Sequence, residues 1–214
     1  MPRGRPPART RPQVVAAAIT VADAEGLDAL TMRRLAAELG AGVMSLYTYV
    51  RDKEELLDLM IEQVSDPGHE LDDADLLGLT TWQRALMLRH PWIPEALPNR
   101  QLSGPNMLGF LERGLAALSG TGLPGPAKME ILALLTGFVA SYVTNELAQA
   151  RIGVTDSERV REHVDRLRTA ATSGDYPELA KVLSQGVSGP PPSFEGIAER
   201  MIAGLVTGQP SPST

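Results

Sequence analysis

Apolar residues recur every three or four positions along most of the chain, which is the spacing that places them on one face of an α-helix. The first such segment begins at Thr10, where Gln13 three positions later and Pro12 in the first turn are typical of a capped helix start. Gly26 is expected to end this helix, because glycine readily adopts the left-handed conformation that often follows a helix. No clear alternating strand pattern is visible, so the sequence predicts an all-α fold.

Three further short helices are predicted before residue 66. The second runs from Thr31 to Gly40, and the third, over residues 42–50, follows after a short turn. Asp52 is the predicted cap of the fourth helix, with Glu55 as its capping-box partner. Two short helices joined by a tight turn are the arrangement that places a recognition helix in the major groove of DNA.

An acidic stretch with glycine and proline, residues 66–75, interrupts the periodicity and marks a predicted boundary between a small head and a larger body. The expected division is a flexible basic arm over residues 1–9, a DNA-binding domain with its connecting helix over residues 10–65, and a helical ligand-binding and dimerisation domain over residues 66–214. The body is predicted to contain seven helices, which cover residues 79–89, a short segment after Pro91, and residues 106–119, 127–151, 157–171, 177–185 and 193–206.

Two of the body helices carry apolar surface that one chain of this size does not easily cover. The helix over residues 127–151 is apolar nearly all round, and the helix over residues 193–206 has a narrow apolar seam at Phe194, Ile197, Met201 and Leu205. These two helices are therefore predicted to form a four-helix interface in a homodimer. The alternative, that both helices pack only within their own chain, stays open at this point.

Charge is distributed unevenly along the chain. The net charge of the whole chain is −6, but residues 1–51 hold seven arginines against four acidic residues, a net charge of +3. A basic head on an acidic body points to nucleic-acid binding by the head alone. The absence of cysteine excludes disulfides and thiolate sites and favours a cytoplasmic location. The longest uncharged apolar stretch, residues 131–145, is shorter than the roughly 20 residues of a membrane span, so no membrane partner is expected.

Residues 30–58 resemble the helix-turn-helix and the following helix of the tetracycline-repressor (TetR) family. The specific marks are Thr31, the run Leu-Ala-Ala-Glu-Leu-Gly at residues 35–40, the pairs Leu46-Tyr47 and Tyr49-Val50, and the run Asp-Lys-Glu-Glu-Leu-Leu at residues 52–57. The stretch from Gly104 onward resembles tetracycline-repressor-like C-terminal domains. The resemblance implies an N-terminal three-helix DNA-binding domain, a larger helical domain, and a homodimeric bacterial repressor that a small apolar or aromatic molecule releases from a palindromic operator.

The same resemblance implies which residues meet DNA. Groove-facing positions are Val43, Met44, Ser45, Tyr47 and Tyr49, and positions that meet the DNA backbone or bases are Thr31, Arg33 and Lys53. Hydroxyl and ammonium groups suit phosphate oxygens, whereas an arginine that reaches a base pairs best with guanine. The predicted recognition helix contains no Arg, Lys, Asn or Gln, so Val43 and Met44 are limited to apolar contacts such as those with thymine methyl groups. Packing between helices is the alternative role of the two tyrosines.

The N-terminal arm is a second candidate for DNA binding. The run Pro2-Arg3-Gly4-Arg5-Pro6 resembles the core of an AT-hook, in which glycine lets an extended backbone lie in the minor groove between two arginines. Arg3 and Arg5 are therefore predicted minor-groove contacts. A solubilising tail is the alternative.

An effector pocket in the body, with ligand-driven movement of the fourth helix, is also implied by the resemblance. Candidate lining residues are polar or aromatic side chains set among apolar helices: Trp82, Trp92, Asn106, Phe110, Met129, Phe138, Tyr142 and Asn145. Core packing is the alternative role of most of them. His69 or His90 could serve as the equivalent of the histidine metal ligand in the tetracycline–magnesium site, but neither can be assigned to that role. Tetracycline itself is therefore not implied.

No catalytic constellation is visible in the sequence. Residues 120–125 satisfy G-x-G-x-x-G, but a helical pattern precedes them and Pro124 stands where a backbone amide should bind pyrophosphate. No catalytic residue, cofactor or metal is therefore predicted. Two other hypotheses stay open: a helical small-molecule-binding protein or enzyme that keeps the fold without operator binding, and a DNA-coating protein without sequence preference.

Overall fold

The computed structural model describes residues 9–98, 100, 103–152, 157–184 and 192–207, and within these ranges the secondary structure is helical, without strands. The head contains α1 (Arg11–Glu25), α2 (Met32–Glu38), α3 (Val43–Leu46) and α4 (Lys53–Val64). The body contains α5 (Leu76–Arg89), α6 (Ile93–Ala96), α7 (Pro105–Ala117), α8 (Gly125–Ile152), α9 (Ser157–Thr172), α10 (Pro177–Ser184) and α11 (Phe194–Thr207), with a 3₁₀ turn (Ser119–Thr121) after α7. The predicted all-α fold is confirmed.

The first two helices begin as their sequences predict. The Thr10 hydroxyl accepts a hydrogen bond from the Gln13 amide, and the Gln13 side chain accepts one from the Thr10 amide, which completes the capping box. The Thr31 hydroxyl caps α2 by accepting a hydrogen bond of 3.0 Å from the Arg34 amide. Gly26 ends α1 with a φ of 85°, which glycine adopts without a side-chain clash.

The third helix is shorter than predicted, because hydrogen bonds between near neighbours replace the helical pattern after Leu46. The Tyr49 amide donates to the Leu46 carbonyl, three residues back, over 2.9 Å. The Thr48 hydroxyl donates to the Ser45 carbonyl over 2.6 Å and so competes for an acceptor of the helix. The predicted helix end at Val50 is therefore wrong, and α3 is about one turn long.

A small apolar core holds the head helices together. α1 packs against α2 and α4, and α2 packs against α3. Each of these helices contributes side chains with almost no exposed surface, including Val14, Leu35, Leu46, Leu56 and Met60. Leu46 and Val50 are both buried, so they fix the short α3 and the turn after it against this core.

α8 is the central helix of the body and packs against α5, α6, α7 and α11. Its buried positions repeat every four residues at Ile131, Leu135, Val139 and Val143. The segment Gly125–Ala150 is long and apolar enough to cross a membrane by length and composition alone. A core helix has the same composition, and packing against four neighbours gives α8 that role in the body.

A second face of α8 is not covered by the described chain. Leu134 is 44% exposed, and Gly137 and Ser141 on the following turns are exposed as well. On α11, Phe194 turns into the core with 3% exposure, whereas Met201 and Leu205 of the same predicted seam are only half-buried. Packing within the chain, one of the two alternatives left open by the sequence, therefore applies to the core-facing side of α8 and to Phe194, whereas the homodimer interface stays a prediction. Phe194 belongs to the core within the chain.

Polar contacts join the head to the body, and Asp23 and Glu62 make two of them. The carboxylate of Asp23 in α1 accepts a hydrogen bond from the Trp92 indole over 2.7 Å and lies 2.8 Å from Nδ1 of His90. The carboxylate of Glu62 in α4 accepts hydrogen bonds from the backbone amides of Asn106 (2.6 Å) and Met107 (3.3 Å), at the positive end of the α7 dipole. The start of α7 is therefore hydrogen-bonded directly to α4.

Gly114 allows α7 and α8 to pack closely. A Cβ atom at this position would lie 2.6 Å from Cδ2 of the buried Leu132, well inside van der Waals contact. Gly114→Ala is expected to lower the free energy of unfolding by about 1–3 kcal/mol through overpacking. Urea unfolding followed by circular dichroism measures the change.

Gly109→Ala, in the same helix, is the matched control for this prediction. A Cβ atom there meets only the flexible end of Arg113, at 3.2 Å. Because glycine is a poor helix former, this substitution is expected to raise stability by up to about 1 kcal/mol. Equal shifts in the two variants would contradict the packing explanation.

Candidate nucleic-acid interface and effector site

Met44 lies on the solvent side of α3. Successive residues of an α-helix are rotated by about 100°, so Met44 points about 200° away from Leu46. Leu46 is fully buried against the head core, whereas Met44 is 79% exposed. Of its neighbours, Val43 is half-buried and Ser45 is exposed. Because Leu46 is buried in the core, the opposite side of α3 faces the solvent, and the apolar side chain of Met44 is exposed there.

The serine and threonine hydroxyls on this part of the head donate to backbone carbonyls. The Ser45 hydroxyl donates to the Gly42 carbonyl over 2.6 Å, and the Thr48 hydroxyl donates to the Ser45 carbonyl over the same distance. A hydroxyl has one hydrogen, so while these two bonds are in place both side chains can accept a further hydrogen bond but cannot donate one.

The two predicted tyrosines occupy different environments. Tyr47 is 46% exposed at the end of α3. Tyr49 is half-buried and packs against the head core. Tyr47 is therefore accessible to a ligand, whereas Tyr49 takes the packing role that the sequence left as an alternative.

Adjacent arginines on α2 also differ. Arg34 makes ion pairs with Glu25 (2.5 Å) and Glu38 (2.9 Å). Its hydrogen bonds to Glu25 and then to Glu38 raise the pKa of Arg34, and the bond to Arg34 lowers the pKa of Glu25. Arg33 is exposed, and none of the described acidic side chains pairs with it. Of the two guanidinium groups, that of Arg33 therefore has no acidic partner among the described residues.

Lys53 lies at the start of α4, close to the turn between α1 and α2. Its ammonium nitrogen is 3.4 Å from the Leu27 carbonyl oxygen, which leaves other hydrogens of the ammonium for an additional acceptor. The Thr31 hydroxyl at the start of α2 is exposed as well. These positions suit contacts with phosphate oxygens.

Three basic residues of the head were not among the predicted DNA contacts. Arg11 and Arg51 both pair with the Glu55 carboxylate, and Arg9 donates to a backbone carbonyl at the end of α2. The backbone amide of Arg51, followed by its side chain and the charge of Arg11, lowers the pKa of Glu55. Asp52 caps α4 as predicted, by accepting from the Glu55 amide over 2.8 Å, but the Glu55 carboxylate holds arginines in place instead of closing a capping box. Their signal in the sequence was the excess of arginine in residues 1–51.

Comparison with known proteins identifies the family. The sequence profile of "Bacterial regulatory proteins, tetR family" matches residues 14–60, and that of the "Tetracyclin repressor-like, C-terminal domain" matches residues 67–208. The chain belongs to the TetR family. Its relatives include the HTH-type transcriptional repressor DrrR1 of Streptomyces coeruleorubidus, which is 38% identical over 215 residues that cover 95% of this chain and 79% of DrrR1. An HTH-type transcriptional regulator of Saccharopolyspora erythraea is 30% identical over 93% of this chain and 85% of its own length.

Solved structures give the same result. Apo ActR from Streptomyces coelicolor has a TM-score of 0.71 and 30% identity, and the match covers 94% of this chain and 98% of ActR. ActR in complex with actinorhodin has a TM-score of 0.72 and 29% identity, with the same coverage. The resemblance seen in residues 30–58 is confirmed, and this TetR-family protein is a bacterial transcriptional regulator of the helix-turn-helix type.

The eight predicted effector residues of the TetR-family protein lie at several places in the body. Trp82 and Phe110 stack in the body interior with 5.9 Å between their ring centroids. Phe138 and Tyr142 form a second aromatic cluster with Phe194 of α11.

The remaining four predicted effector residues lie elsewhere. Trp92 and Asn106 make the contacts between head and body described above. Met129 is 46% exposed near the start of α8, and Asn145 is exposed near its end. A cleft of about 780 Å³ lies between the end of α1, α6 and α8, and of the eight residues Trp92 lines it.

Two polar pairs in the body were not predicted. The side-chain amide of Gln83 in α5 donates a hydrogen bond of 3.0 Å to the Thr136 hydroxyl in α8. Arg84 pairs with Glu146 over 2.6 Å, which raises the pKa of Arg84. Isolated polar residues within an apolar helical pattern were the available signal for both.

The structure bears differently on the predicted arm and on a possible metal site. Arg3 and Arg5 of the arm lie outside the described residues. Within the described part of the chain, no three His, Asp or Glu side chains are grouped so as to hold a metal ion.

Proposed function

We propose that this TetR-family protein represses transcription in the bacterial cytoplasm as a homodimer, which binds a palindromic operator and is released by a small apolar or aromatic effector. The observation that carries the proposal is the outward face of α3, where Met44 is exposed opposite the buried Leu46 and Tyr47 is exposed at the end of the helix. In such a dimer the two recognition helices meet major-groove faces about 34–36 Å apart. Residues 10–65 form the DNA-binding domain and residues 66–214 the ligand-binding and dimerisation domain, with no catalytic residue, cofactor or metal.

The proposed dimer forms through α8 and α11, within the predicted segments 127–151 and 193–206. The uncovered face of α8 supports this interface, because small side chains at Gly137 and Ser141 beside Leu134 let a second helix approach closely. The half-buried Met201 and Leu205 of α11 add apolar surface to the same interface. Two helices from each chain then form a four-helix bundle.

We place the effector at the stacked Trp82 and Phe110. An aromatic molecule that separates these rings displaces α7, which carries Phe110. The N-terminus of α7 is hydrogen-bonded to Glu62 of α4, so the displacement moves α4 and changes the spacing of the two heads. The structure of ActR in complex with actinorhodin supports an effector site in this family.

A second polar contact supports the same route from body to head. The Arg100 guanidinium, between α6 and α7, pairs with Glu54 (2.5 Å) and Asp58 (2.7 Å), both on α4. Arg100 also donates to the Ala96 carbonyl at the end of α6, over 2.6 Å. α4 is therefore held by body residues on both sides of α7's start.

The test is binding of the purified protein to the DNA that flanks its own gene, compared with a scrambled duplex, at about 50 and 200 mM salt. Preferential binding that weakens at the higher salt is expected, because phosphate contacts release counterions. Addition of actinorhodin, as a first effector probe, is expected to release the bound duplex. Equal binding to both duplexes would favour a DNA-coating protein, and no binding to either would favour a ligand-binding protein without an operator.

Two substitutions in the head separate positioning from sequence readout. Lys53→Ala is expected to weaken binding to all duplexes by a similar factor and to reduce the salt dependence, because it removes a phosphate contact. Arg33→Ala is expected to lose discrimination at particular base pairs, by roughly 5- to 150-fold. Binding of a set of singly mutated operators measures both effects. The same loss of specificity in the two variants would contradict these roles.

A further inference from the structure

We propose that Met44 reads the operator through van der Waals contact with the C5-methyl group of a thymine in each half-site. The inference rests on the proposed function, since it needs α3 to enter the major groove. It assigns part of the sequence specificity, in addition to the part proposed for Arg33, to one apolar side chain of α3.

The exposure of Met44 is the first argument. A methionine that is 79% exposed leaves most of its apolar surface in water, and burial of that surface on binding is favourable. Its position opposite the buried Leu46 fixes the direction in which the side chain leaves the head. The unbranched thioether adapts to the shape of what it meets.

The second argument is the chemistry of the neighbouring groups. The hydroxyls of Ser45 and Thr48 donate to backbone carbonyls, and Val43 is half-buried. α3 contains no amide or cationic side chain, so it has no bidentate partner for adenine or guanine. The thymine methyl is the one apolar group that base pairs present in the major groove, and it is the matching partner for Met44.

The experiment starts from a duplex recovered from a random DNA pool by binding to the full-length protein. Each thymine of that duplex is then replaced by uracil, which removes the methyl group and leaves every hydrogen-bonding group in place. We expect one thymine in each half-site to be sensitive, with binding about fourfold weaker for one substitution and about 15-fold weaker for both. Fluorescence anisotropy measures the dissociation constants.

Met44→Ala links the sensitive thymine to the residue. This variant is expected to bind the unmodified duplex more weakly and to lose the difference between thymine and uracil at that position alone, as in a double-mutant cycle. The difference is expected to be the same at low and high salt, because the contact is apolar and releases no counterions. Leu108→Ala, which truncates an exposed apolar side chain on the body helix α7, is the control and should retain full uracil sensitivity.

The outcomes test the role of Met44 separately from the proposed repressor function. Uracil sensitivity that disappears only in Met44→Ala supports the inference. Sequence-specific binding without sensitivity to any uracil, or sensitivity that persists in Met44→Ala, overturns the inference and leaves the proposed repressor intact. Recovery of no preferred duplex overturns both.

Discussion

Leu134→Arg is expected to convert the protein into a monomer and to lower operator affinity by about 10²- to 10⁴-fold. Leu134 is 44% exposed on the face of α8 that the chain leaves uncovered. An arginine there places a charge inside the proposed four-helix interface, where an unpaired charge costs several kcal/mol. Without the dimer, the second head no longer binds at the high effective concentration that the first one provides.

Sedimentation equilibrium measures the oligomeric state, and anisotropy with the recovered duplex measures the affinity. Leu108→Arg is the matched control, since Leu108 is 53% exposed on α7, outside the proposed interface. It should remain dimeric with unchanged affinity. Circular dichroism shows whether both variants keep their helical content. A dimer of Leu134→Arg with normal affinity would rule out this face of α8 as the interface.

Helix ends that depend on near neighbours could be predicted from the sequence. Thr10 and Gln13 form their capping box, and Gly26 ends α1, because these interactions involve residues four positions apart or fewer. The end of α3 depends on the same kind of local bond and was nevertheless missed. The Thr48 hydroxyl competes with the helical pattern there, and apolar periodicity does not report such competition.

The packing of each apolar face could not be predicted. Ile131 and Leu134 are equally apolar and lie three residues apart, yet Ile131 is fully buried and Leu134 is 44% exposed. The difference arises from the positions of α5, α6, α7 and α11 around α8. The apolar periodicity of one helix does not show where its neighbours lie. Phe194 shows the same limit, since its place in the predicted seam was also compatible with the core.

The partners of the candidate site residues could not be predicted, because residue type alone does not reveal which side chains come into contact. Arg33 and Arg34 are identical in the sequence, and only the structure shows that Arg34 is held by two carboxylates. Trp92 and Asn106 have the composition of a ligand site, but both connect the body to the head. Their contacts span 69 and 44 residues of sequence, well beyond the reach of a local pattern.

Trp92→Ala is expected to destabilise the protein by about 3–5 kcal/mol, because it opens a cavity where a large aromatic side chain is 98% buried. The substitution also removes the indole that donates to Asp23 of α1 over 2.7 Å. The Asp23 carboxylate then keeps only His90 as a side-chain partner among the described residues, so the contact between head and body weakens. Urea unfolding by circular dichroism, at one fixed protein concentration, measures the loss.

Trp92→Phe separates the two contributions to that loss. Phenylalanine fills most of the space but has no donor for Asp23, so a loss of about 1.5–3 kcal/mol is expected from a hydrogen bond to a charged group. The further loss in Trp92→Ala is then the effect of the cavity. If both variants unfold at the same urea concentration, the hydrogen bond to α1 alone determines the stability of this junction. If Trp92→Phe matches the unsubstituted protein, the hydrogen bond contributes nothing and packing holds the head on the body.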